Sequence, residues 1–309
     1  MKKVVITGAA GLVGQNLVAR LKDRPDIGLV GIDKHHANVS IFRRIHPEVE
    51  IIEADLADAG NWREALIGCD TLILCHAQIG GIDAEEFVRN NITSTELALK
   101  AAKAAHVGYI IHISSSVINS QAVDDYTESK KQQEAMVAAA GIPHVILRPT
   151  LMFGWYDRKH LGWLRRFMER SPIFPIPGTG HFIRQPLYVG DFAAIILSCL
   201  ADRRVGSFDI SGLERIAYVD LIKELRDVVG ARTLLIHIPY RLFWWLLRLY
   251  AVFDRSPPFT TRQLEALVIP EEFPVIDWPR IFGVRSTPLR QALVETYRDH
   301  EHADIVLEF

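Results

Sequence analysis

Tyr126 and Lys130 stand four residues apart, a spacing that puts a phenol and an ammonium on one face of a helix. A nearby cation favours phenolate, so such a phenol can exchange a proton with a substrate hydroxyl or carbonyl. Taken alone, the pair describes a solvated helix surface more often than a catalytic one. The apolar run before it, Tyr109–Ile113, ends in Ser114, Ser115 and Ser116. Hydroxyls at the C-terminal edge of an open α/β sheet stand where ligands of such folds bind, and one serine there can hold a reacting oxygen against the phenol.

A second cluster lies at the amino end. Residues 3–7 read as a strand, and Gly8-Ala9-Ala10-Gly11-Leu12-Val13-Gly14 leads from it into a helical pattern. Glycines let the backbone turn tightly, approach a pyrophosphate and pack helix on strand, while the helix amino end offers free N–H groups. Asp33 closes the next apolar run about 20 residues on, where a carboxylate accepts from the adenosine ribose hydroxyls and repels a 2'-phosphate. NAD is therefore expected over NADP, a preference that Lys34, His35, Arg43 or Arg44 would soften. Asp55, after the third strand, either touches the adenine or caps the next helix.

Strands are expected at residues 3–7, 29–33, 50–53, 71–75, 109–113 and 144–147, with helices at 12–22, 61–67, 84–105 and 124–140. Alternation of this kind, with near-continuous Val, Ile and Leu in the strands, predicts an α/β doubly wound parallel sheet. Residues 171–180 (SPIFPIPGTG) read as an irregular loop. Residues 187–200 read as a strand end feeding a helix, and 207–210 as another strand. Helical patterns at 217–229, 240–253, 260–267 and 288–300 predict a smaller, mainly helical C-terminal substrate unit. The coenzyme-binding part is assigned to residues 1–150 and 187–212, and the substrate part to 151–186 and 213–309.

The chain has 309 residues, 49% apolar and 23% charged, enough for one large or two modest domains. A net charge of −2 supplies no field to attract nucleic acid or an anionic membrane, so recognition is expected from a local site. The cysteines, Cys69, Cys75 and Cys199, are odd in number and lack metal-ligand spacing, and the chain opens without a secretory apolar core. A cytoplasmic location and no metal are expected. Tyr240–Phe253 (YRLFWWLLRLYAVF) is too short to cross a bilayer. Burial is its expected role, with a dimer contact or a membrane-surface helix as alternatives.

These motifs resemble the extended short-chain dehydrogenase/reductases of the NAD-dependent epimerase/dehydratase group. The similar elements are Thr7-Gly8-x-x-Gly11-x-x-Gly14, Asp33, Asp55-Leu56, His76-Ala77, Asn91-x-x-x-Thr95, the serine run, Tyr126-x-x-x-Lys130, Arg148-Pro149-Thr150 and Val189-Gly190-Asp191. The resemblance implies a catalytic Ser115, Tyr126 and Lys130, with Ser116 as the alternative serine and a substrate contact. It implies coenzyme contacts from the glycine turn, Asp33, Asp55, Leu56, His76, Ala77, Asn91, Ile113, Tyr126, Lys130, Arg148, Pro149 and Thr150. Arg184 matches the arginine that grips a nucleotide-sugar diphosphate.

The implied reaction moves hydride at a sugar carbon, by C4 epimerisation or 4-keto reduction, with a homodimer paired through residues 84–105 and 124–140. The Asp-Glu pair of the group's dehydratases is replaced by Ser116-Val117, which disfavours 4,6-dehydration. Val117 also removes the cysteine of epimerase-reductases, leaving His160 as a candidate proton donor whose ordinary role is structural. An apolar secondary alcohol, or a non-catalytic NAD(P)-binding subunit, are the competing readings.

Overall fold

The computed structural model describes residues 1–81, 83–119, 124–253, 260–269 and 272–308. Its elements in order are β1 (Lys2–Thr7), α1 (Leu12–Leu21), β2 (Ile27–Asp33), α2 (His36–Ile45), β3 (Glu50–Glu53), β4 (Thr71–Leu74), α3 (Ala84–Phe87), α4 (Ser94–Ala104), β5 (Tyr109–Ile113), α5 (Asp125–Ala138) and β6 (His144–Pro149). Then follow β7 (Met152–Phe153), α6 (Leu161–Arg170), β8 (Ile173–Pro177), β9 (Ile183–Arg184), β10 (Leu187–Tyr188), α7 (Val189–Asp202), β11 (Gly206–Ile210) and β12 (Ile216–Ala217). The chain continues through α8 (Tyr218–Val229), β13 (Leu234–Ile238), α9 (Tyr240–Phe253), α10 (Thr261–Val268), α11 (Trp278–Phe282) and α12 (Leu289–Tyr297).

Among these residues, seven parallel strands form one sheet in the order β11-β6-β5-β4-β1-β2-β3. The order reverses between β1 and β4, the crevice where open α/β sheets bind ligands. Strand residues alternate between two buried faces. Val4, Ile6, Tyr109 and Ile111 pack with α1, α2, α7 and α11, while Val5, Leu72, Leu74 and Ile110 pack with α4, α5 and Trp62. A third core joins α6, α8 and α12 with Phe174 and Ile176 of β8. Asp191, in the first turn of α7, accepts from the Thr287 amide and hydroxyl and so ties the sheet to the segment leading into α12.

Several local expectations are corrected. Residues 171–180 are not wholly irregular, because β8 pairs in parallel with β13. The Gly178 amide donates to the Ile238 carbonyl, so the strand's two-residue period turns Pro175 and Pro177 to the free edge, where a missing N–H costs nothing. Residues 61–66 form a 3-10 helix, and α2 was not foreseen. The helix expected over 84–105 is interrupted by a π-helical turn, Val88–Thr93. The burial expected of α9 holds for Phe243 only on its packed side, since Leu242, Trp245, Leu246 and Leu249 are exposed. Among the described residues no helix is long and apolar enough to cross a membrane.

Candidate active site

The glycine turn is built so tightly that side chains are excluded. Gly8 has φ +64°, and a Cβ on it would lie 2.8 Å from the His76 main chain. A Cβ on Gly14 would lie 2.5 Å from the carbonyl oxygens of Gly8 and Ala9. The Gly11 amide closes the turn on the Gly8 carbonyl at 3.1 Å, and α1 begins at Leu12 with its amino end toward the crevice. Gly8, Gly11, Leu12, Val13 and Gly14 line a groove of about 560 Å³, together with Asp33, Asp55, Leu56, His76 and Ala77. That volume is ordinary for a small-molecule site.

At the end of β2, Asp33 accepts from the Ala10 amide at 3.0 Å and the His35 amide at 2.9 Å. Burial pushes its carboxyl above the usual range, and those two amides oppose the shift. The cations that would soften a preference for NAD are largely committed elsewhere. Lys34 donates to Asp55 and Asn90, and Arg43 to Glu53. Arg89 also binds Asp55, while the Asp55 carboxylate accepts from the Ala57 amide at 2.9 Å. That bond closes a local turn; the next helix, Asn61–Leu66, has Gly60 at its N-cap without a side-chain cap, so Asp55 lines the groove and does not cap that helix. Lys34, Gln78, Asn90, Met152 and Lys159 line the groove too. Sequence reasoning did not place Met152 or Lys159 there, because they follow the last coenzyme motif in a stretch without regular pattern.

The expected Ser115, Tyr126 and Lys130 are not in the lining of this groove. Asp124 caps α5 by accepting from the Thr127 amide, and the helix presents Tyr126 near Ser115, whose hydroxyl favours the ionised phenol. Burial raises the Tyr126 pKa and the Ser115 hydroxyl opposes that rise. Lys130 is 1% exposed and donates to the Ile113 carbonyl at 3.0 Å. Burial pulls its pKa down to about 7, against the attraction of Glu134 and Cys75. Cys75, on the groove, is pushed up to about 12 by burial. Burial, then, drives both Tyr126 and Lys130 toward their neutral forms.

The buried face of α5 is largely polar, and most of its groups have partners, the Gln133 Oε1 excepted. Ser129 accepts from Asn91 at 2.8 Å, Gln133 donates to Thr95 at 2.8 Å, and Glu134 takes Arg148 in a two-pronged ion pair. Asn91 lies in the π-helical turn and also accepts from the Gln78 amide, which couples the groove rim to α5. The His76 ring is held between Thr7 at 2.7 Å and Thr95 at 3.0 Å, and burial lowers its pKa to about 3. The side chains of His76, Asn91 and Arg148 therefore brace the site. Pro149 ends β6, and the Thr150 amide joins β11 while its buried hydroxyl has no partner. Ser116 opens a short 3-10 turn, Ser116–Asn119. His160 precedes α6, and Asp157 accepts from its amide.

Arg184 is 7% exposed. Its guanidinium donates to the carbonyls of Leu267 and Ile269 and lies 5.1 Å from the Phe182 ring.

Residues 4–210 match the NAD dependent epimerase/dehydratase family. The chain belongs to that family. It is an enzyme of the family, NAD is its coenzyme, and the cradle fits NAD, since the glycine turn packs closely enough to set the α1 amino end on the same groove that Asp33 lines. The ceramide reductase of Caulobacter vibrioides (strain NA1000 / CB15N) is 29% identical over 241 residues, covering 76% of this chain and 73% of that protein. The fold is shared with UDP-glucuronic acid 4-epimerase from Bacillus cereus in complex with UDP-glucuronic acid and NAD, at TM-score 0.69 and 21% identity over 96% of this chain and 98% of that one. It is shared equally with the Bordetella bronchiseptica enzyme WbmH in complex with NAD+, at TM-score 0.74 and 17% identity over 97% and 100%.

The Lys130 shift has a measurable consequence in the coenzyme-free protein. A lysine whose folded pKa is about 7 against an ordinary value of 10.5 binds fewer protons folded than unfolded between those limits, so its contribution to stability rises with pH across that window. Below pH 7 both states are protonated and the burial penalty is complete. Urea unfolding of wild type and Lys130→Met is expected to show the wild type gaining about 1–2 kcal/mol on the variant between pH 7 and 9. A pH-independent difference contradicts the buried, depressed ammonium.

Proposed function

We propose that this family member catalyses hydride transfer at a secondary carbinol or ketone carbon, with Tyr126 as acid and base. The supporting observation is Tyr126 near Ser115 and on the same helix as a buried Lys130, beside a groove that fits NAD. Bound coenzyme supplies the hydride acceptor or donor. Ser115 and Tyr126 would hold the reacting oxygen between two hydroxyls, Tyr126 would carry its proton, and Lys130, when protonated, would stabilise the phenolate. Asp33 would take the adenosine ribose.

The leading substrate class is a nucleotide-activated sugar, through C4 epimerisation or 4-keto reduction, as the UDP-sugar complex of the Bacillus cereus enzyme suggests. One observation favours a second class. Arg184, the residue matched to a diphosphate contact, is engaged by the carbonyls of Leu267 and Ile269, which suits an apolar secondary alcohol or its ketone and accords with the ceramide reductase relative.

A thermal-shift screen in the presence of NAD separates them, because a ligand that binds the native state alone raises the melting temperature. UDP-sugars are expected to shift it, and sphingoid or other long-chain ketones are the comparison. A shift with the lipids only would replace the sugar reading, and conversion of the stabilising ligand without added coenzyme marks an epimerase. No shift and no turnover with either class would defeat both.

A further inference from the structure

Helix α9 turns an apolar stripe to solvent. Leu242, Trp245, Leu246 and Leu249 are 52%, 62%, 46% and 58% exposed, and their spacing of three, four and seven residues sets them on one face. The opposite side packs inward, where Phe243 is buried and the Trp244 indole donates to Glu265 of α10 at 2.9 Å. At about 100° per residue, Arg241 and Arg248 fall together along one border of the stripe and Tyr250 along the other. No aspartate or glutamate occurs in the helix.

We propose that α9 docks this protein on the surface of an anionic lipid bilayer. The helix has 14 residues, about 21 Å at 1.5 Å per residue, too short to cross the hydrocarbon core but suited to lying in the plane of the boundary. Leu242, Leu246 and Leu249 enter the acyl region, and Trp245 and Tyr250 take the headgroup level that amphipathic aromatic rings prefer. The two arginines along one border meet lipid phosphates, the charge complement that an acid-free helix supplies. The overall charge of −2 makes this a local attraction, so salt should weaken it strongly. The docking does not depend on which substrate class is correct, and its test reads no activity.

The experiment is flotation of the full chain with vesicles of phosphatidylcholine, with and without phosphatidylglycerol. Flotation is expected with the anionic vesicles and to fall at high salt. Trp245→Glu or Leu249→Glu should cut it about tenfold or more, and Arg241→Glu with Arg248→Glu should remove the preference for phosphatidylglycerol. Unchanged thermal melting certifies the folding of these surface variants. Absence of flotation at either lipid charge overturns the proposal. So does a dimer by light scattering that Leu249→Glu dissociates, which would assign the stripe to a second copy of the chain. Equal flotation with both vesicles overturns the part given to the arginines.

Discussion

Tyr126→Phe lowers kcat/KM by roughly 10²- to 10⁴-fold, the range a positioned acid or base contributes, while NADH binding followed by fluorescence stays at the wild-type level. The change removes one oxygen. Its ring keeps its neighbour, the Phe87 ring at 6.5 Å, and the Asp124 cap on the Thr127 amide survives, so the melting temperature should hardly move. Ser115→Ala is expected to lose less, because the phenol remains to carry the proton and loses only a neighbouring hydroxyl. A Tyr126→Phe protein with undiminished kcat/KM would show that Tyr126 is not the acid and base of the reaction.

Gly14→Ala is expected to act on the coenzyme instead. The added carbon meets the carbonyl oxygens of Gly8 and Ala9 at 2.5 Å and the Ala9 Cα at 2.6 Å. All three are main-chain atoms of the turn and cannot swing aside. Overpacking of this kind costs about 1–3 kcal/mol, and relief comes from moving α1 away from the turn, which withdraws its amides from a bound pyrophosphate. The dissociation constant for NAD by calorimetry should rise at least about tenfold, equivalent to 1.4 kcal/mol. Gly11→Ala provides the graded comparison, since its Cβ would be 3.3 Å from the Gly8 carbonyl oxygen and a small adjustment suffices. Equal affinity in Gly14→Ala and wild type would refute the close-approach argument.

The two variants probe parts of the site that differ in how plainly the sequence displays them. The glycine turn is legible because its requirement is local: a positive φ at Gly8 and excluded Cβ atoms at Gly8 and Gly14 leave one residue type at fixed spacing. Helix α5 is less plain. Its buried residues include Thr127, Ser129, Lys130, Gln133 and Glu134, so the apolar period that announces most helices is missing, and only the Tyr126 and Lys130 spacing marks it. Those polar groups are tolerable in the interior because Asn91, Thr95, Ile113 and Arg148 receive them. These partners come from β5, β6 and the helices between β4 and β5, distant in sequence.

The amino-acid sequence by itself determined the parallel sheet, the coenzyme turn with Asp33, and the serine, tyrosine and lysine set, because strand hydrophobicity, glycine sterics and helical spacing act over short stretches of chain. Only the tertiary structure decided what surrounds each group. Arg184 offers the same fork in any context, and the carbonyls of Leu267 and Ile269 claim it here. Pro175 and Pro177 looked like a loop until β13 gave their strand a partner on one side and left the other edge free. Helix α9, apolar on nearly every face, has an exposed stripe because α10 packs against another side of it. Composition fixes how much apolar surface a segment carries, but burial depends on which other segments arrive to cover it.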